Sequence, residues 1–307
     1  MIDLDYDDVD AAFAQSVGRL CTARLDQTAG TVPSWSEAWW REVAELGVLA
    51  LGTPGGGTVT TIAATMEQLG QANAPGPFVE TFLAVQLLDA ERVEAIVTGA
   101  RVATVTTSNL VPWLPIAETV IEIDGSRAYL ARIAGDVVSV DSLAGEPWGR
   151  AAIERVDDLG DASAALAIGD VAAAAYMVGE AEHLVRGAAA YAADRIQFRT
   201  PIGNFQAVAH PLAECFLRVT AARTLARIAA YTIDMGASSP LGAAATARRS
   251  ATRAALDAAF QVHQAYGAMG FTVEGPVGNR SAKIRQTSLA GRGLGDGTDH
   301  ILQERGL

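Results

Sequence analysis

Three alanine-rich stretches, at about 164–194, 206–236 and 243–265, fill most of the second half of the chain and constrain its folding more than any other feature. Alanine is the strongest helix former and loses no side-chain entropy on burial, so each stretch is expected to be a long helix. A Thr200-Pro201-Ile202-Gly203 turn parts the first from the second. The first third also reads as helical. Ser34-Trp-Ser-Glu37 has capping-box spacing, and Trp35, Trp39, Val43 and Leu46 follow at helical intervals. A further helix is expected from about Thr60 to Ala72, stopped by Asn73-Ala-Pro-Gly-Pro77, and another begins at Val79.

The character changes near residue 100. Arg101–Thr107, Thr119–Ile123, Ala128–Ala131 and Val137–Val140 are short and rich in β-branched residues, and Asp124-Gly125 suits a hairpin turn. A small antiparallel sheet is expected. The chain therefore divides into a helical domain at 1–97, a small β domain at 98–160 and a second helical domain at 161–307.

Composition narrows the function. A net charge of −12 and a pI near 4.8 argue against nucleic acid and against an anionic membrane surface. No stretch looks like a signal peptide, and the apolar run from Val171 to Gly179 is too short to span a bilayer, so a cytoplasmic protein is expected. Cys21 and Cys215 give no disulfide framework. His183, His210, His263 and His300 show no metal-ligand spacing, so no metal is expected.

Two strings carry chemistry. The first runs Arg195-Ile-Gln-Phe-Arg-Thr-Pro-Ile-Gly-Asn-Phe-Gln206. It places a guanidinium, whose fork of donors suits pyrophosphate, at the end of one helix and Phe205-Gln206 at the start of the next. The second is Gln264-Ala-Tyr-Gly-Ala-Met-Gly-Phe-Thr272, whose small residues let backbone N–H groups approach a ligand closely. The first string resembles the R-x-x-F-G-x-P-I-x-x-F-Q signature of the acyl-CoA dehydrogenases, and the second their Q-x-x-G-G-x-G-F-T segment. Leu46–Pro54, Met66–Gly70 and Ala74–Phe78 resemble that family's helical entry domain more softly.

The resemblance implies an α fold with a small β domain: an N-terminal helical domain, a reduced middle sheet and a C-terminal four-helix bundle. It implies that Arg195, Phe198, Gln206, Gln264, Gly267 and Ala268 contact FAD held mainly by a neighbouring subunit. Arg199 stands where the family usually has glycine, and either narrows the cofactor's approach or adds a second cation for phosphate.

What the family uses for chemistry is missing. Dehydrogenation of an acyl thioester needs a carboxylate to take the α-proton while the β-hydrogen leaves as hydride. One family position for that glutamate is a C-terminal Tyr-Glu-Gly-Thr loop, and the nearest string here is Gly295-Asp-Gly-Thr298, making Asp296 a weak candidate. The other lies 26 residues before the motif arginine, which here is Gly169, with Asp170 adjacent. One residue turns a helical side chain by about 100°, so Asp170 is also a weak candidate. The family's Thr-Glu-Pro…Gly-Ser-Asp run survives at best as Thr106–Pro112.

The resemblance is to the shortened, non-catalytic subunits of heterotetrameric bacterial steroid-degrading acyl-CoA dehydrogenases. It implies a full-length catalytic partner, an acyl-CoA substrate with a bulky steroid-derived acyl group, and an electron-transfer flavoprotein as acceptor. Two other readings stay open: a self-sufficient homo-oligomer with an aspartate base, and a flavin-free scaffold or regulatory protein of the same fold.

Overall fold

The computed structural model describes residues 5–26, 28, 30–236, 240–289, 298 and 301–302. Five helices come first: α1 (Asp8–Arg24), α2 (Glu37–Glu45), α3 (Val59–Gln71), α4 (Phe78–Ala84) and α5 (Ala90–Val97). The sheet follows as β1 (Ala103–Thr106), β2 (Leu110–Val111), β3 (Thr119–Asp124), β4 (Arg127–Asp141) and β5 (Pro147–Asp161). The chain then enters α6 (Ser163–Asp194), a small hairpin of β6 (Ile196–Gln197) and β7 (Thr200–Pro201), α7 (Gln206–Asp234), α8 (Leu241–Tyr266) and α9 (Gly278–Leu289).

The α6 helix is the axis of the molecule. By length and composition it could cross a membrane, but its apolar surface lies inside the protein, packed by α3, α4, α7 and α8. Its crossing with α3 is backbone against backbone. A Cβ added at Gly70 would sit 2.1 Å from the Tyr176 carbonyl oxygen, and one at Gly179 would sit 2.1 Å from that of Glu67. Each helix thus presents a glycine where the other comes closest. The α7 helix returns antiparallel to α6, and its terminal Asp234 carboxylate accepts from the Val59 and Thr60 N–H groups at 2.8 and 2.9 Å, closing the N-terminus of α3. Thr58 completes that end with a capping box to Thr61.

Three expectations are corrected. The α2 helix is capped by Ser36, whose hydroxyl accepts from the Trp39 N–H at 3.2 Å, not by Ser34. The sheet is mixed, in the order β1-β3-β4-β5-β2, because β1 pairs with β3 in parallel register. The two short segments expected at 128–131 and 137–140 are one strand, β4, with a register shift between Ala134 and Val138. The Asp124-Gly125 turn does join β3 to β4, with Gly125 at φ 61°.

Candidate functional site

The first string folds into a stiff corner. Arg195 caps α6 in extended backbone, its N–H donating to the Tyr191 carbonyl at 2.9 Å. The chain then makes the β6–β7 hairpin, with Gln197 opposite Thr200, and the Ile202 N–H donates back to the Arg195 carbonyl at 2.8 Å. Phe198 and Arg199 form the two-residue tip with φ of 53° and 68°, the pair of positive values a type I′ turn requires. Gly203 packs tightly beneath, where a Cβ would approach the Ala192 carbonyl oxygen to 3.1 Å. Phe198 is 89% exposed and meets Phe205 edge to face, with centroids 6.2 Å apart. Arg195, Arg199 and Gln206 are exposed, and neither arginine has an ion-pair partner among the described residues.

The second string ends α8. Gly267 has φ 59° and ψ −134°, a conformation that a side chain resists, and it starts a 3₁₀ turn through Phe271. Gln264, Gly267 and Ala268 are all exposed.

Both strings leave the bundle at the same end. The α6 and α8 helices run parallel, as Asp170–Arg248 at 3.4 Å, Met177–Thr252 at 3.7 Å and the stacked Tyr191–Tyr266 rings at 4.4 Å show in sequence. The α7 helix starts at that end too. Below the hairpin runs an apolar groove of about 600 Å³ lined by Val185, Ala192, Leu212 and Phe216, with Pro201 and Gly203 at its rim. The six residues expected to face a cofactor therefore lie on the outside of one end of the bundle, with unpaired guanidinium and bare glycine backbone. That donor set suits phosphate.

The seam between sheet and bundle is different in kind. Asp170 is 2% exposed, and Arg248 from α8 binds its carboxylate. Buried in this pair, it is not placed to act as a base, and the second weak candidate, Asp296, lies outside the described residues. Gly169 is closed off as well, since a Cβ there would lie 2.9 Å from Leu83 Cγ and Cδ1. The Thr106 hydroxyl is consumed by its own loop, donating to the Ser108 carbonyl at 2.8 Å.

Several charged residues there escaped the sequence reading. Glu146, on the turn between β4 and β5, accepts from Lys283 and Gln286 of α9, and Gln286 Oε1 accepts from the Ala144 N–H at 3.0 Å. Lys283 lies 5.3 Å from the centroid of the Tyr176 ring. Behind this bridge is a cavity of about 60 Å³ that Glu80 lines, with Trp113 and Trp148 among its walls. In front lies an outer cleft of about 530 Å³ bordered by the same Glu146, Lys283 and Trp113. Burial pushes the Glu80 carboxyl up to about 7, with the Glu146 charge adding and Lys283 and Arg248 opposing. A lone acid within Phe78-Val-Glu-Thr-Phe-Leu83 was the signal available for Glu80. Among the described residues no three potential metal ligands cluster, and both cysteines are free and buried.

Known proteins share this fold. The family model described as "Acyl-CoA dehydrogenase, C-terminal domain" matches residues 159–304. IpdE2, an acyl-CoA dehydrogenase of Mycobacterium tuberculosis, is 30% identical over 257 residues, covering 78% of each chain. Among solved structures, a chain of the ChsE4-ChsE5 complex from Mycobacterium tuberculosis superposes with a TM-score of 0.82 at 21% identity, covering 99% of this chain and 98% of that one. Butyryl-CoA dehydrogenase from Megasphaera elsdenii gives 0.82 at 16% identity over the full length of both chains.

Proposed function

Because the chain belongs to the acyl-CoA dehydrogenase family, we propose that it is the non-catalytic half of a two-subunit enzyme of that family, completing the FAD site of a full-length catalytic partner. Arg195 would bind the cofactor's phosphates, Phe198 would pack beside it, and Gln206, Gln264 and the Gly267-Ala268 backbone would close around it. FAD supplies the acceptor for the β-hydride when bound. The base that removes the α-proton comes, on this reading, from the partner.

One contrast carries the proposal: the surface assigned to phosphate is open and its two arginines unpaired, while Asp170, one of the chain's two candidate acids, is locked against Arg248. The likeness to a chain of the ChsE4-ChsE5 complex supports the heteromeric reading. A subunit lacking half of each site leaves room for a bulky, steroid-derived acyl-CoA, with electrons passed on to an electron-transfer flavoprotein.

The test counts flavin per chain. Alone, this subunit should purify with little or no tightly bound flavin, and co-expressed with its partner it should give a yellow, active complex. Arg195→Ala should cut flavin retention in that complex about tenfold or more, the scale of one charge-assisted hydrogen-bonded contact. Stoichiometric flavin and thioester oxidation by the isolated chain would overturn the proposal.

A further inference from the structure

Arg199 occupies the second central position of a two-residue hairpin at φ 68°, directly after Phe198 at φ 53°. Left-handed backbone costs an ordinary residue about 1–2 kcal/mol, and this turn type strongly favours Asn-Gly or Gly-Gly. Two consecutive bulky residues held there are strained, and neither recovers the cost by burial, since both are exposed. Packing does not explain an arginine at this point. Nor does an internal ion pair, because Arg199 has none among the described residues.

The neighbourhood says what an arginine there can do. Arg195 lies four residues back, where α6 ends, so the two Cα atoms are no more than about 14 Å apart and each side chain can reach toward the other. Both are exposed and lack an acidic partner, in a chain whose net charge is −12. Most other described arginines pair with carboxylates, as Arg155 does with Glu122 and Asp124, and Arg223 with Glu67 and Glu182. The Ile202–Arg195 hydrogen bond and the β6–β7 pairing hold the hairpin against the helix end, so the two cations sit on one rigid corner. Phe198 beside them presents an exposed ring to stack on.

We propose that Arg199 is a second phosphate-binding cation, acting with Arg195 as a two-arginine clasp on the diphosphate of the FAD held by the partner subunit. This rests on the proposed role of Arg195 and adds a residue to it. Two guanidinium forks match the paired phosphates of a dinucleotide better than one. Strain in the hairpin is retained because the turn aims that second fork outward.

The test uses the flavin-loaded complex with its partner, measuring FAD dissociation and thermal midpoint for Arg199→Gly, Arg199→Ala, Arg199→Lys and Arg195→Ala. Arg199→Gly and Arg199→Ala should both weaken FAD about tenfold and flatten the salt dependence of its retention. Arg199→Lys should keep part of the affinity. Arg199→Gly should also hold or raise the thermal midpoint, because the turn then has the residue it favours; a purely structural role predicts no change in FAD. If Arg195→Ala releases flavin and the Arg199 variants do not, the second cation is wrong and the single-arginine site stands. If none releases flavin, the proposed site itself is wrong. If the Arg199 variants raise only the KM for acyl-CoA, the phosphate belongs to coenzyme A and the FAD assignment fails.

Discussion

Glu80 lies in the first turn of α4 with its side chain lining the cavity, facing Glu146 from the sheet, Lys283 from α9 and Arg248 from α8. Burial outweighs both cations and lifts it from 4.5 to about 7. A carboxyl raised in the folded state binds its proton more tightly folded than unfolded. Its stabilising contribution is therefore complete below pH 4.5, declines as pH rises toward 7 and is gone above that. Allowing for its partial exposure, about 2 kcal/mol is at stake. Glu80→Gln should be more stable than wild type at pH 8 and lose that advantage by pH 4.5, as urea midpoints across the range would show; parallel curves would refute the assignment. At this scale the sequence is legible where candidates are local. Arg195 and Gln206 stand out as candidates because they lie in one short string, whereas Glu80, Glu146, Arg248 and Lys283 are far apart in the chain and meet only in the folded protein.

Long elements were legible for a physical reason. The span expected at 164–194 forms Ser163–Asp194, and that at 206–236 forms Gln206–Asp234, because alanine-rich sequence favours helix strongly enough to carry Gly169, Gly179 and Gly187 within α6 and Pro211 near the start of α7. The β4–β5 ribbon was harder, since a run in each strand, 135–139 in β4 and 154–158 in β5, is exposed on both faces and shows little alternation of apolar and polar residues. The β5 strand, rich in Asp, Arg and Gly, gave no strand signal. Within α6, the consequence of position is sharp. Leu83, 7% exposed, already fills the space beside Gly169. Installing the family's glutamate by Gly169→Glu should destabilise the chain by about 3 kcal/mol or more, through overpacking and a buried carboxylate, and should not make the isolated subunit a dehydrogenase. Gly169→Glu with Leu83→Ala should recover part of the stability. Thermal unfolding and acyl-CoA turnover decide it, and an unaided, fully stable Gly169→Glu enzyme would show that only the missing base separates this chain from its relatives.

Taken as a whole, the molecule has two regions of opposite electrostatic design. One end of the bundle shows unpaired arginines and an apolar groove to the outside; at the joint between sheet and bundle, Glu146 of the β4–β5 turn is tied to Lys283 and Gln286 of α9. Glu146 is the knot of that joint, since its carboxylate takes donors from both Lys283 and Gln286 while the adjacent turn is held through Ala144. Lys283 is 8% exposed, so its pairing with Glu146 takes place largely out of water. Attraction in such a site roughly balances the desolvation of the two ions, but removing one ion strands the other. Lys283→Met alone should therefore cost about 3 kcal/mol, while the double variant Lys283→Met with Glu146→Gln should recover most of it. If the joint is what keeps this chain's own cleft closed, Lys283→Met should also loosen it, and hydrogen exchange should rise in residues 142–147 and in α9 before the long helices are affected. Equal losses from the single and double variants, or uniform exchange across the bundle, would mean that the joint is held by the apolar contacts of its tryptophans and that the charges only decorate it.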